Sequence, residues 1–298
     1  MGTITVLGAT GNTGRAVTLT LLREGHQVRA LGRGAGRLAP LGEAGAEVRV
    51  GDPTDVGYLT EAFRGVDAVY TLLPNDPTWP DFRARTARLG TAVVAAAAAA
   101  EVGHLVALSS LGAESSMDTG LVTTLHDQEV RLRTLVGTNV LLLRPGLFFE
   151  SFLPVLAGVR HEGRLTDVVA PEVAVPMVAS RDVAAVAAAA LSTRDWEGVA
   201  VREVLGPRDL TYPEVASILG AAVGQPDLPY LPVPYADMAA GLVAAGMSEE
   251  AADLHVRLGR ALNEGRVASQ GRTSAATTPT DLTDFAPTLA EADRAVPA

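Results

Sequence analysis

Residues 3–14 read Thr-Ile-Thr-Val-Leu-Gly-Ala-Thr-Gly-Asn-Thr-Gly, and this stretch decides the fold of the chain. A β-branched apolar run predicts a strand, and the apolar spacing after residue 14 predicts a helix. Gly8 suits the tight turn, Gly11 lets the backbone approach a pyrophosphate, and Gly14 lets the helix pack on the strand. Helix amino ends attract phosphates. The stretch therefore predicts a dinucleotide site rather than a mere tight turn, with these residues binding the cofactor: Gly8, Thr10, Gly11, Asn12, Thr13 and Gly14.

Composition narrows the class of protein. The chain has 298 residues, a net charge of -10 and no cysteine. Disulfides and thiolate catalysis are excluded, and the acidic balance disfavours nucleic acid or an anionic membrane as a partner. The longest apolar runs, 92–100 and 183–191, are too short to cross a bilayer, and no basic leader opens the chain. We expect a cytoplasmic soluble protein.

All 24 basic residues are arginine, so the chain contains no lysine. Bias toward arginine codons is a sufficient explanation for this composition. The chemical consequence holds for any cause: a phosphate-loop lysine, a Schiff-base lysine and a tyrosine-lysine reductase pair are all impossible here.

The end of the second predicted strand indicates which nicotinamide nucleotide binds. Residues 26–31 form this strand, and an acid at its end would bind the ribose 2′-hydroxyl of NAD. The chain has no acid there, but it has Arg33 and Arg37, whose guanidinium groups suit the 2′-phosphate of NADP. We therefore predict that NADP(H) binds in preference to NAD(H). The alternative is that both arginines are solvent-exposed loop residues without a ligand.

Later strands add further candidates for cofactor binding. Asp52 ends the third strand, where the adenine edge would lie, but it could equally cap the helix around residues 58–63. Leu72, Leu73 and Pro74 end a fourth, fully apolar strand and would border the nicotinamide ribose.

The alternation of strands and helices predicts an α/β fold, a Rossmann-type doubly wound parallel sheet. We expect the nucleotide-binding domain in residues 1–150 and a smaller α/β substrate-binding region in residues 151–298. A strand and helix near residues 175–191 are expected to return to the first domain, so that the two interleave.

Several motifs in order resemble the NmrA-like branch of the atypical short-chain dehydrogenases. They include the glycine turn, Leu-Ser-Ser-Leu-Gly at 108–112, His-Asp-Gln-Glu at 126–129, Leu-Arg-Pro-Gly at 143–146 and Gly-Met-Ser at 246–248. The resemblance covers almost the whole chain. It implies a Rossmann fold, NAD(P) binding, and either reduction of small molecules such as quinones or a redox-sensing role without turnover.

The chain departs from the wider dehydrogenase family at the catalytic helix. That family uses a tyrosine four residues before a lysine, whereas here the corresponding helix is expected to start at His126 and has Val130 four residues later. This departure resembles the quinone and azo-dye reductase members, which carry histidine at the helix start. His126 could protonate or orient a substrate oxygen that Ser109 or Ser110 shares, or it could merely bond backbone at the helix start. We interpret Glu129 as a surface charge.

The exit from the sixth strand is the expected substrate side. By the resemblance, this exit borders the nicotinamide and the substrate, so that Pro145 would contact the cofactor and the adjoining residues would form a hydrophobic wall. The predicted substrate-pocket residues are Leu147, Phe148, Phe149 and Tyr230, the last as part of a lid in a proline-dense loop. The other histidines are scattered without ligand spacing, so we predict no metal site.

Three functions fit these residues. The first is an NADPH-dependent reductase of a small conjugated substrate such as a quinone, enone or imine. The second is a sensor that binds NADP without turnover and reports to a protein partner, and the third is a non-redox pathway enzyme on the same fold. We expect a small aromatic or conjugated substrate, no nucleic-acid or membrane partner, and a monomer or homodimer.

Overall fold

The computed structural model describes residues 1–294, apart from the side chains at 157 and 161. In chain order, its strands are β1 (Thr3–Leu7), β2 (Gln27–Gly32), β3 (Glu47–Val50), β4 (Ala68–Thr71), β5 (His104–Leu108), β6 (Asn139–Pro145), β7 (Leu147–Phe148), β8 (Leu165–Asp167), β9 (Ala174–Val178), β10 (Val199–Val204), β11 (Asp209–Thr211) and β12 (Tyr230–Pro232).

The helices connect these strands and cover the sheet. In chain order, they are α1 (Asn12–Arg23), α2 (Ala35–Glu43), α3 (Val56–Phe63), α4 (Phe82–Ala99), α5 (Val122–Leu132), α6 (Leu153–Glu162), α7 (Ser180–Thr193), α8 (Tyr212–Val223), α9 (Tyr235–Ala244), α10 (Glu249–Asn263) and α11 (Leu282–Arg294).

The central sheet has seven strands in the order β10-β6-β5-β4-β1-β2-β3, and every pair is parallel. Apolar residues of α1, α2 and α7 pack on one face, and those of α3, α4 and α5 pack on the other. Strands buried on both faces read as continuous apolar runs, as β4 and β5 do. The predicted Rossmann-type doubly wound fold is confirmed.

The order reverses between β1 and β4, so the carboxyl ends of these strands border a crevice at the switch point of the sheet. In open α/β sheets this crevice is where ligands bind. The sheet therefore places the glycine turn after β1, the loop after β2 and the loop after β4 around one opening.

The return of the chain to the main sheet differs from the expectation. The helix α7 packs on α1, but the strand at 174–178 joins β7 and β11 in a separate three-stranded sheet. The strand that extends the main sheet is instead β10, which pairs with β6. The short apolar run at β9 contained no information on which sheet it would join.

The second half of the chain has a core of its own, formed by β7, β9, β11 and the helices α6, α8 and α11. Phe149 packs on Phe285 with ring centroids 5.6 Å apart, and Phe152 packs on Tyr212 at 5.9 Å. The helix α10 joins this core through Ala261 and Leu262. Helix α10 thus sits between this core and the carboxyl edge of the main sheet.

Candidate functional site

The glycine turn between β1 and α1 has the conformation that its sequence predicts. Gly8 has φ +72°, and a Cβ built on Gly14 would lie 2.2 Å from the carbonyl oxygen of Gly8. Gly11 is different, because its φ is -86° and a Cβ there would meet the same oxygen at an ordinary 3.5 Å. Gly8 and Gly14 therefore hold the turn together, whereas Gly11 keeps its outer surface clear of side-chain atoms.

The amino end of α1 has no side-chain cap. Gly11 is its N-cap residue, and the first turn contains no acid. Several other helices also lack a side-chain cap, whereas three of the described helices have one: the Asp55 carboxylate caps α3, Thr211 and Glu214 form a capping box on α8, and the Ser248 hydroxyl caps α10. The first N–H groups of α1 and its dipole are thus available to an anion.

A cleft of about 430 Å³ opens at this helix end. It is bounded by the glycine turn, the ends of β2 and β3, and the loop that follows β4. Seven of the predicted cofactor residues line it: Gly8, Thr10, Gly11, Arg33, Arg37, Leu72 and Pro74. Arg37 lies in the first turn of α2 and donates weakly to the Thr10 carbonyl at 3.4 Å. These residues come from three separate segments, and the sheet brings them together.

Other predicted cofactor residues lie around the cleft rather than on its wall. Asn12 is exposed at the start of α1, while Thr13 is buried below the turn. Leu73 packs toward Trp79 and Phe82. These positions give Thr13 and Leu73 structural contacts that a strand-end pattern does not predict.

Asp52 lies in a neighbouring cavity of about 370 Å³, with Arg33 at the boundary of the two spaces. The alternative that Asp52 caps the next helix is wrong, because Asp55 caps α3. The Asp52 carboxylate instead accepts from the Thr54 N–H and hydroxyl, both at 2.8 Å. These two bonds, together with the nearby charges of Arg85 and Arg33, lower the pKa of Asp52.

A small apolar chamber lies at the carboxyl ends of β5 and β6, where the nicotinamide half of a dinucleotide would reach. Its volume is about 50 Å³. The wall combines the ends of β5, β6 and β9 with α10, and consists of Ser110, Leu111, Val122, Pro145, Gly146, Leu147, Val175, Pro176, Leu258, Leu262 and Val267. Among the described residues that line this chamber, Ser110 is the one with a polar side chain.

The predicted substrate-pocket residues do not all lie at this chamber. Leu147 lines it, but Phe149 is 1% exposed and packs in the second core. Phe148 contacts the core on the α1 face of the sheet. Tyr230 donates its hydroxyl to the Val169 carbonyl at 2.5 Å, so it fixes a segment of the second half and does not overhang the cleft. The phenylalanine cluster at 148–152 was also compatible with plain core packing for at least two of its members, and Phe149 and Phe152 do pack in the second core.

A buried ion network lies behind Ser110, and the sequence analysis missed it. Glu129, interpreted there as a surface charge, is 3% exposed. Its carboxylate accepts two bonds from the Arg144 guanidinium, at 2.9 and 2.6 Å, and a third from the Ser109 hydroxyl at 2.6 Å. Arg144 also pairs with Glu114 at 3.0 Å. Ser109 is therefore committed to Glu129, which leaves Ser110 as the serine that faces the chamber.

Opposing effects act on the pKa of Glu129. Burial raises it, but the hydrogen bonds and charge of Arg144, together with the Ser109 hydroxyl, outweigh burial and lower the pKa below its ordinary value. The same pairing raises the pKa of Arg144. The network is thus a fixed ion pair that ties β5, α5 and β6 to the segment that carries Glu114.

His126 has a different position from the one expected. Helix α5 begins at Val122, so His126 lies in its second turn rather than at its start. Its Nδ1 lies 2.9 Å from the Ala113 carbonyl oxygen. Because a carbonyl only accepts, Nδ1 carries the proton in this contact, which leaves Nε2 as the acceptor of a neutral ring. His126 holds the segment after β5, and it does not line the chamber.

Within residues 1–294, no group of three or more histidine, aspartate or glutamate side chains is arranged to hold a metal ion. Over the same part of the chain, no helix combines the length and apolar character that a bilayer crossing requires.

Comparison with known proteins identifies the family. The model of the NmrA-like family matches residues 1–284. The chain belongs to the NmrA-like family. The resemblance in the sequence motifs is thereby confirmed.

Curated members of the family include reductases. The chain is 38% identical over 223 residues to a (4-alkanoyl-5-oxo-2,5-dihydrofuran-3-yl)methyl phosphate reductase of Streptomyces griseus subsp. griseus, covering 75% of this chain and 74% of the relative. It is 31% identical over 252 residues to an NAD(P)H azoreductase of Xenophilus azovorans, covering 84% of each.

Solved structures show the same fold. An NADPH-dependent quinone oxidoreductase of Escherichia coli, complexed with NADPH, superposes with a TM-score of 0.81 at 25% identity, covering 96% of this chain and 99% of that one. These comparisons place the NmrA-like chain among the NAD(P)H-dependent oxidoreductases.

Proposed function

We propose that the protein is an NADPH-dependent reductase that delivers hydride to a small, flat, conjugated acceptor such as a quinone, enone or imine. The observation that carries this proposal is the placement of two spaces along the carboxyl edge of one sheet. The cleft at the uncapped end of α1 has the volume and the helix end that a dinucleotide needs, and the chamber at β5 and β6 has the apolar lining that a flat acceptor needs.

The residues of the cleft fit the cofactor. The surface of Gly11 is free of a side chain where a pyrophosphate would approach, and the N–H groups of α1 face it. Arg33 and Arg37, at the end of β2 and the start of α2, supply positive charge where an adenosine 2′-phosphate would lie, and no acid competes there for a 2′-hydroxyl. This arrangement favours NADP(H) over NAD(H).

The chemistry needs little from the protein beyond position. When bound, NADPH supplies the hydride, and the acceptor takes one proton from solvent or a nearby hydroxyl. Ser110 is placed to orient an acceptor oxygen from the chamber wall, while Leu147 and Leu258 hold a flat ring and exclude water. A conjugated acceptor is electron-poor already, so no strong acid is required, consistent with the missing tyrosine-lysine pair.

The named relatives support this acceptor class. The compounds in their names are an unsaturated furanone phosphate, an azo compound and a quinone. All three compounds have conjugated double bonds. We infer that the present chain takes an acceptor of the same general kind.

A sensor that binds NADP(H) without turnover is the second candidate, and the size of the chamber favours it. Its volume of about 50 Å³ leaves little room for an acceptor unless α10 moves. Helix α10 is held by bonds from Leu121 N–H to the Leu254 carbonyl at 3.2 Å and from Ser248 N–H to the Pro77 carbonyl at 2.8 Å.

Isotope transfer separates the two candidates. The purified protein is incubated with NADPH deuterated at the transferring carbon, together with a panel of quinones, enones and imines. Mass spectrometry then measures deuterium in each product. A reductase gives NADPH oxidation that depends on the acceptor, and with enones and imines it also gives product with deuterium bound to carbon. Nucleotide binding by calorimetry without NADPH oxidation for any acceptor would overturn the reductase proposal and select the sensor.

A further inference from the structure

In the cavity that adjoins the cleft, the guanidinium groups of two arginines lie over the ring of one tryptophan. This cavity of about 370 Å³ shares Arg33, Gly51, Pro53 and Pro74 with the cleft, so the two spaces are continuous at the adenosine end. Its far wall comes from the segment between β4 and α4 and from α4 itself. That wall is separate from the glycine turn and the end of β2, the two segments that bind the pyrophosphate and the adenosine ribose in dinucleotide folds of this kind.

Trp79 forms the centre of this wall. Its side chain is almost fully buried, and it packs on Phe82 with ring centroids 6.2 Å apart. The Arg85 guanidinium carbon lies 4.6 Å from the Trp79 ring centroid, and that of Arg33 lies 6.0 Å from it. Cation–π attraction therefore holds both guanidinium groups against the same ring, although they belong to distant segments.

These two arginines differ from their neighbours on α4 in their charge partners. Arg88 pairs with Asp81 at 2.7 Å, and Arg83 reaches Glu250 at 4.0 Å. Within residues 1–294, neither Arg33 nor Arg85 has a carboxylate within 4.0 Å. Neither side chain therefore forms a direct ion pair, although the carboxylates of Asp52 and Asp76 lie close enough to interact with both charges.

The acids in this region are already bound to threonines. Asp52 accepts from Thr54, and the Asp76 carboxylate accepts from the Thr78 hydroxyl at 2.7 Å. Those bonds lower the pKa of each acid, and the charges of Arg33 and Arg85 lower both further. Arg33 and Arg85 both line the same cavity, so the two guanidinium groups border one space.

We infer that Arg85 and Arg33 bind the adenosine 2′-phosphate from two sides, with Trp79 positioning both. The inference rests on the proposed function only in taking NADP(H) as the cofactor. A phosphate dianion offers several acceptor oxygens, so that two guanidinium groups from different directions can each donate to it. Arg85 is then a specificity-determining residue that the β2 end alone does not reveal.

The test uses nucleotide fragments that lack nicotinamide. Binding of 2′,5′-ADP and of 5′-AMP is measured by calorimetry for wild type, Arg85→Gln and the matched control Arg83→Gln on the same helix. We expect R85Q to weaken 2′,5′-ADP binding by about tenfold or more and 5′-AMP binding by less than about threefold. R83Q should change neither, because Arg83 lies outside the cavity.

A spectroscopic readout checks the role of Trp79. The chain has two tryptophans, and Trp196 packs on His104 away from the cleft, so Trp196→Phe leaves Trp79 as the reporter. We expect 2′,5′-ADP to change the fluorescence of W196F, and the half-saturation concentration to rise when R85Q is added.

Three results would overturn the inference. They are an equal loss of both fragments in R85Q, no loss of either, or an unchanged half-saturation concentration in the W196F background. These outcomes leave the proposed reductase intact, provided that NADPH still binds and labels product. If wild type binds neither NADPH nor 2′,5′-ADP, the proposed function fails as well.

Discussion

The adenosine half and the acceptor half of the carboxyl edge are built in different ways. In the adenosine half, glycines and an uncapped helix end leave an open cleft of about 430 Å³. In the acceptor half, a buried ion network supports an apolar chamber of about 50 Å³ beneath α10. If the proposed function is right, this difference predicts a preformed nucleotide site and an acceptor site that opens only when α10 shifts. It also predicts that substitutions in the two halves have separable effects.

The largest expected effect is on stability, from Glu129→Ala in the acceptor half. The substitution leaves the Arg144 guanidinium buried with its main partner gone, and we expect a loss of about 3–5 kcal/mol in the free energy of unfolding. The control is Arg133→Ala, whose exposed side chain reaches the same carboxylate at 3.4 Å and should cost less than about 1 kcal/mol. Urea denaturation measures both. Equal losses would show that the network does not support the acceptor half.

The same network predicts a pH dependence of stability. Because the folded-state pKa of Glu129 lies below its ordinary value of 4.5, the pairing stabilises the fold above pH 4.5 and is lost as pH falls through the lowered pKa. Denaturation midpoints of wild type and Glu129→Gln should therefore converge as the solution is acidified. Midpoints that stay parallel down to acid unfolding would contradict the assignment.

In the adenosine half, the largest effect should come from a methyl group at Gly14 or Gly11. Gly14→Ala places a Cβ against the Gly8 carbonyl, so it should lower both stability and NADPH affinity. Gly11→Ala meets no such clash and should lower affinity with little change in stability. Calorimetry and thermal unfolding separate the two variants. Full affinity in G11A would remove the pyrophosphate from the proposed position.

Enlarging the chamber gives a smaller and more selective effect. Leu258→Ala removes apolar atoms from the wall formed by α10. Relative to wild type, we expect KM to fall more for bulky acceptors than for small ones, and NADPH affinity to stay unchanged. The control is Leu219→Ala in the core of the second half, which should lower stability without altering the acceptor preference. A uniform change for all acceptors in L258A would place the acceptor elsewhere.

The smallest effect is expected beneath the glycine turn. The buried Tyr70 hydroxyl lies near Thr13 but outside hydrogen-bond geometry, and within residues 1–294 it has no partner. Tyr70→Phe should therefore be neutral or stabilising by up to about 1 kcal/mol. Tyr58→Phe is the contrast, because that hydroxyl donates to the Arg49 carbonyl at 2.9 Å and its loss should cost about 1 kcal/mol. Chemical denaturation measures both, and a clear loss in Y70F would indicate a bond to Thr13.

The sequence predicted the adenosine half better than the acceptor half, and the reason is physical. A glycine turn is a local feature whose backbone angles and close approaches follow from three residues, and the parallel strand order follows from alternation. The network of Ser109, Glu129 and Arg144 depends on side chains from two strands and a helix, so no local pattern separates a buried Glu129 from an exposed one.

The errors at helix boundaries have the same origin. Helix α5 begins at Val122 without a side-chain cap, so the sequence contains no start signal there. The predicted start at His126 is therefore about one turn too late. Even where a side-chain cap exists, neighbouring acids can compete for it: Asp55, and not Asp52, caps α3. Trp79 gives no signal in the sequence, because its significance depends on contacts with the Arg33 and Arg85 side chains, which only the folded chain brings to its ring.

The missing cap on α1 has a consequence for the lifetime of the protein in a cell. Without a bound phosphate, the amino end of α1 has no side-chain hydrogen-bond partner, so the apoprotein is less stable than the complex. A nucleotide at one hundred times its dissociation constant stabilises the native state by about 2.7 kcal/mol. We expect proteases to digest the apoprotein faster than the nucleotide-saturated form, so that the abundance of the protein would follow the supply of the nucleotide it binds.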